Sequence, residues 1–182
     1  MGMSTPSQDQ MAAHFEFARL AAQYHASGRF AALSHCLPVA GNLLHHSIEM
    51  FLKCVLVKAL TLKELKGLGH NLATLWSHFI QIHPHPTHAT LTAAVTELER
   101  FERLRYPDSV VLEGMQVSFV ISRAQFSALP AGPLPPYHLV LEDCDAIAHR
   151  AAQASGLTRV AFTAGLSEQA IHFLQLHNVH PL

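Results

Sequence analysis

The hydrophobic pattern is densest over residues 40–60, AGNLLHHSIEMFLKCVLVKAL. Wound as a helix at about 100° per residue, this stretch puts Asn42, His45, His46, Glu49 and Lys53 on one narrow polar arc. Leu43, Leu44, Ile48, Met50, Phe51, Leu52, Cys54, Val55 and Leu56 cover most of the remaining circumference. A helix apolar over so much of its surface is packed by neighbours on several sides. Its polar stripe must then face other protein, a second subunit, a ligand or a wet crevice.

The flanking patterns predict more helices. Residues 1–8 read as a disordered tail. Over residues 8–27, Met11, Phe15, Ala18, Ala22 and His25 recur at helical spacing, and Gly28 reads as the stop. Pro38 suits the first turn of the central helix, where its missing N–H costs little. A short helical turn follows residue 60, closed by Gly67 and Gly69. Asn71 then caps a helix over residues 72–82 that buries Leu72, Leu75, Trp76 and Phe79. Thr87 or Thr90 opens a helix to about residue 104, with Leu91, Ala94, Val95, Leu98 and Phe101 inward and Glu99 outward. Residues 109–136 change character: 110–122 alternate as a small antiparallel β-hairpin, and 128–136 form a Pro-rich connector. A further helix spans residues 136–155, with Tyr137, Val140, Cys144, Ile147 and Ala151 inward and Glu142, Asp143, Asp145 and Arg150 toward solvent. Residues 157–165 read as a loop, and Ser167 caps a last helix to about residue 177. The fold class is all-α: a single helical domain over residues 9–180 with a β-hairpin insertion.

Composition narrows the function classes. The chain is 49% hydrophobic and 14% charged, as a globular chain is, and its formal net charge is −1. No Lys/Arg run provides the broad electrostatic footprint of a non-specific nucleic-acid binder, although a local basic pocket remains compatible. Cys36, Cys54 and Cys144 are widely spaced, which predicts reduced, buried thiols and a cytoplasmic setting. The central helix is interrupted by His, Glu and Lys and predicts no membrane span. The chain has 15 histidines, but they are scattered. His83, His85 and His88 sit on a Pro-punctuated turn that offers little rigid support to an ion. His172, His177 and His180 do not share a helix face. No metal and no cofactor are expected.

Three segments together resemble the HEPN domain, a nucleotide-associated helical bundle. His46-Ser47-Ile48-Glu49, followed by Leu52-Lys53, is similar to that family's hydrophobic-H-A-I-E…LK helix. Gly69-His70-Asn71-Leu72 is similar to its GH(D/N)L turn, and Arg105-Tyr106-Pro107 to its RYP segment. Order and spacing agree over roughly residues 10–155. The resemblance implies an up-and-down bundle that commonly dimerises through its long helices. Some members are metal-independent ribonucleases whose signature is Arg followed, after four to six residues, by His, usually on a late helix. Here the late helix carries His149-Arg150, in the opposite order.

The resulting reading is a non-catalytic HEPN-like binding or interaction module. It acts as a homodimer associated with a nucleotide or RNA. Its ligand-binding residues would be Asn42, His45, His46, Glu49, Lys53, His70 and Arg105, converging from several helix ends. A plainer reading of Glu49 and Lys53 is an i, i+4 ion pair worth roughly 0.3–0.5 kcal/mol if exposed. An alternative is a metal-independent endoribonuclease of toxin type. It would use Arg29 and His35, which have the signature's spacing, with His35 as general acid–base and Arg29 stabilising developing charge. Against it stands the reading of Arg29 as an exposed arginine. A further alternative is a HEPN partner to a separate nucleotidyltransferase chain.

Overall fold

The computed structural model describes residues 6–105, 108, 111, 116–129 and 137–182. Nine helices among them are named here: α1 (Gln8–Leu33), α2 (Leu37–Leu56), α3 (Leu62–Gly67), α4 (Leu72–Ile82), α5 (His88–Arg100), α6 (Arg123–Ser127), α7 (Leu141–Ser155), α8 (Arg159–Thr163) and α9 (Glu168–Gln175). A 3-10 turn, Phe101–Arg105, continues α5. Strands β1 (Val117–Val120) and β2 (Tyr137–Val140) form a two-stranded parallel sheet. The architecture is a helical bundle with a minor sheet. None of the described helices is long and apolar enough to cross a membrane.

Helix α2 is the axis of the bundle. It packs against α1, α4, α5, α7 and the 3-10 turn. Leu44, Ile48, Phe51, Leu52, Cys54 and Leu56 are fully enclosed. Two glycines set the closest approaches. A Cβ at Gly41 would stand 1.9 Å from the Phe101 ring, and one at Gly28 would stand 2.8 Å from Leu44 Cγ. Gly28 therefore does not end α1; it lies within the helix and lets α1 close onto α2.

Local chemistry fixes the helix starts. Ser7 and Gln10 form a reciprocal capping box on α1, so residues 7 and 8, expected in the tail, belong to the helix start. Gln10 Nε2 also donates to the Val57 and Leu60 carbonyls, tying down the exit of α2. Asn71 Oδ1 accepts the Thr74 N–H at 2.7 Å and caps α4, and Ser167 caps α9. Glu99, expected to point outward, instead accepts the Leu72 N–H at 2.6 Å across the α4 N-terminus, where negative charge is favoured.

Several expectations are corrected. Met11 and Phe15 are exposed; the buried face of α1 runs through His14, Ala18, Ala22 and His25. Strand β1 pairs in parallel with Tyr137–Val140 in the register Val117↔Tyr137, the one strand pairing among the described residues. The arm expected over 110–115 lies outside the described residues, apart from Val111, which is helical. Residues 137–140 are a strand rather than the first turn of a helix: Tyr137 and Leu139 are buried with His138 less so, a period of two. Within 157–165, α8 places Phe162 against Phe51, with ring centroids 5.6 Å apart. Asp143 and Asp145, expected at the surface, are buried, whereas Cys36 is exposed.

Candidate functional site

Glu49 is the hub of a polar cluster built from three separate stretches of chain. Its side chain is 0% exposed. Lys53, one turn along α2, donates from Nζ to Glu49 Oε1 at 2.6 Å. His70, from the α3–α4 turn, places Nδ1 at 2.9 Å from the same oxygen. His46 Nδ1 faces Oε2 at 3.4 Å. Arg105, at the end of the 3-10 turn, donates from Nη2 to His46 Nε2 at 3.0 Å and from Nη1 to Glu102 Oε1 at 2.8 Å.

The local sequence explains this placement. A spacing of four residues stacks Glu49 under Lys53 on one helix face. Gly69, at φ +62°, turns the chain between α3 and the Asn71 cap, and His70 lies in that turn. Gly41 lets the Phe101 ring dock on α2, which brings the 3-10 turn and Arg105 alongside.

Electrostatics separate the interior of the cluster from its rim. Burial alone would push the Glu49 carboxyl up. Hydrogen bonds from His46, Lys53 and His70, with the Lys53 charge, overcome that and hold it at about 2. Burial pushes His45 down to about 4 against the pull of Glu102 and Glu49, so its imidazole is neutral. At the rim, the His70 side chain is 69% exposed and Arg105 is 44% exposed. Glu49 is thus a buried anion that fixes Lys53, His46 and His70 by drawing their donors to itself.

Other candidates fall elsewhere. Asn42 donates to the Pro38 carbonyl at 3.1 Å, and its Oδ1 is buried without a hydrogen-bond partner among the described residues. Arg29 is not exposed; it is fully buried. Its guanidinium donates to Asp145 and to the Phe173 and Leu176 carbonyls at the end of α9. His35 follows α1 at φ +57° and packs edge-on to Phe119. His83 and His88 flank the Phe79 ring.

Two polar arrangements escape a reading of sequence spacing. His25 bridges Ser47 Oγ at 3.0 Å and Asp145 Oδ1 at 2.9 Å, a serine–histidine–aspartate chain in outline. All three residues are buried, and the Ser47 hydroxyl donates to the Ala21 carbonyl, so this network holds α1, α2 and α7 together and leaves no nucleophile accessible. The second lies around a partly open cavity of about 90 Å³, lined in part by Glu97, Arg123, His138 and Asp143. Arg123 grips Asp143 there at 2.9 Å. Residues separated by up to 120 positions leave no local signal. Comparison with known proteins adds no assignment: no protein-family model, curated protein or solved structure matches the chain.

Proposed function

We propose that this chain is a HEPN-like, non-catalytic binding module. It acts as a homodimer and takes a phosphate-bearing ligand, a nucleotide or the backbone of RNA, at the rim of the Glu49 cluster. One observation carries the reading. Residues from the three segments that resemble the family, distant in sequence, are linked by hydrogen bonds: Lys53 and His70 to the buried Glu49 carboxylate, and Arg105 to His46 beside it, while Tyr106 and Pro107 lie outside the described residues. The rim offers an exposed guanidinium, a donor suited to phosphate oxygens, and the exposed His70 ring. With a net charge of −1, affinity must come from this local geometry rather than from a broad basic field.

The nuclease alternative is disfavoured by the burial of Arg29, whose guanidinium is already engaged by Asp145 and two carbonyls. Anisotropy titrations of a labelled single-stranded RNA, with ATP as competitor, test the proposal. Saturable binding weakened by both Arg105→Ala and His70→Ala is expected, with the RNA intact in EDTA. Absence of saturable binding to either probe, or RNA cleavage abolished by His35→Ala, overturns it.

A further inference from the structure

Ordinary hydrogen bonding does not account for the inner part of the cluster. His45 is fully enclosed, yet neither of its ring nitrogens has a hydrogen-bond partner among the described residues. Buried polar groups are almost always partnered, so such a group calls for an explanation. Glu102 Oε2, also buried and without a hydrogen-bond partner there, stops 3.7 Å from His45 Nδ1, beyond hydrogen-bond length. His46 Nδ1 and Glu49 Oε2 stand 3.4 Å apart, long for a charge-assisted bond. One ligand-capable atom from each of His45, His46 and Glu49 lies within 4.8 Å of the other two.

We propose that His45, His46 and Glu49 form a binding site for a divalent transition-metal ion of the zinc class. A tetrahedral ion with bonds of about 2.1 Å separates its donors by about 3.4 Å. That is the spacing of the His46–Glu49 pair. Two imidazoles and a carboxylate favour Zn²⁺ or Co²⁺ over the oxygen-seeking Ca²⁺ and Mg²⁺. Glu102 Oε2, 3.7 Å from His45 Nδ1, is the carboxylate that would accept from Nδ1–H once the ion holds the ring, leaving Nε2 for the ion. Lys53 and His70 both engage Glu49 Oε1, so Oε2 is the oxygen available. The Lys53 ammonium weakens the site but does not occupy that oxygen.

His46 must change its tautomer. Its Nε2 accepts from Arg105, which places the proton on Nδ1. Metal binding at Nδ1 moves that proton to Nε2, so the exchange itself releases none. Arg105 then keeps only Glu102. This set differs from His83, His85 and His88, the candidate legible in the sequence. It also does not depend on a phosphate ligand, because the metal is tested alone.

The test uses the full chain without an affinity tag, treated with EDTA and dialysed, then titrated with Co²⁺ and back-titrated with Zn²⁺. One Co²⁺ per chain with the visible absorption of a tetrahedral ion, displaced by Zn²⁺, is expected. His46→Ala and His45→Gln should each weaken binding by at least about 100-fold, while a His83→Ala/His85→Ala variant binds as the wild type does. Circular dichroism verifies that each variant is folded. His46 is at the edge of the cluster, so its substitution keeps the test valid if His45→Gln fails to fold. No stoichiometric Co²⁺, or binding that survives His46→Ala and disappears in the His83→Ala/His85→Ala variant, overturns the proposal. Either result leaves RNA and nucleotide binding at the rim as a separate question.

Discussion

Replacing Glu49 with Gln removes one charge and little volume. In the wild type the carboxylate sits at 0% exposure between Lys53 and His70. Lys53 is itself buried, and its ammonium would be left without a counter-charge. The carboxyl is held at about 2 against an ordinary 4.5, a preference for the charged form on the order of 3 kcal/mol at about 1.4 kcal/mol per unit. The exposed His70 contributes the smaller part because solvent screens it. The expected loss is therefore about 2–3 kcal/mol. Urea denaturation at neutral pH in EDTA measures it. A depressed carboxylate stabilises the fold above its unfolded value of 4.5 and loses that contribution as pH falls toward 2. The gap between wild type and variant should accordingly shrink below pH 4.5. The double variant Glu49→Leu/Lys53→Met removes both charges and should recover most of the loss. A single-variant loss below about 0.5 kcal/mol refutes the reasoning, because it would mean that Glu49 behaves as an exposed residue.

Three further outcomes follow from the packing. Gly41→Ala forces a Cβ into the Phe101 ring, 1.9 Å away in the present backbone, and should cost about 2–3 kcal/mol in urea. In native protein, a thiol reagent should modify one cysteine rapidly. Cys36 is exposed, whereas burial pushes Cys54 up to about 12 and Cys144 well above the ordinary thiol range; rapid labelling of two thiols contradicts this. Burial lowers the His14 pKa while its Nδ1–H is held by the Cys54 carbonyl at 2.6 Å. The unfolded chain takes up that proton first, so the His14 contribution is complete above pH 6.5 and declines as pH falls below it. His14→Leu should flatten the stability–pH slope over that window.

The helix skeleton was legible because caps and periodicity act locally. Asn71 and Ser167 announce their helices, and Leu72, Leu75, Trp76 and Phe79 define one buried face. The stripe on α2 was legible for the same reason. What it faces was suggested only through the family resemblance, since Glu49, His70 and Arg105 come from different elements. The sheet was misread because so short an apolar run, Tyr137–Val140, also fits the first turn of the helix that follows. Asp145 was misread because its i, i+4 neighbours on α7 do not reveal that His25 and Arg29 arrive from α1 to satisfy it. Gly28 resembled a helix stop, but its role is steric: it admits Leu44.

The convergence of α2, the His70 turn and Arg105 on Glu49 is tested most directly by the imidazole tautomers. His46 Nε2 accepts from Arg105, and both His46 and His70 direct Nδ1 at Glu49. Long-range ¹H–¹⁵N spectra of ¹⁵N-labelled protein in EDTA, recorded at pH 8, report which nitrogen carries the proton. The structure predicts Nδ1–H for both histidines, with both signals perturbed by Glu49→Gln. Nε2–H at His46 and His70, indifferent to Glu49→Gln, would contradict the account.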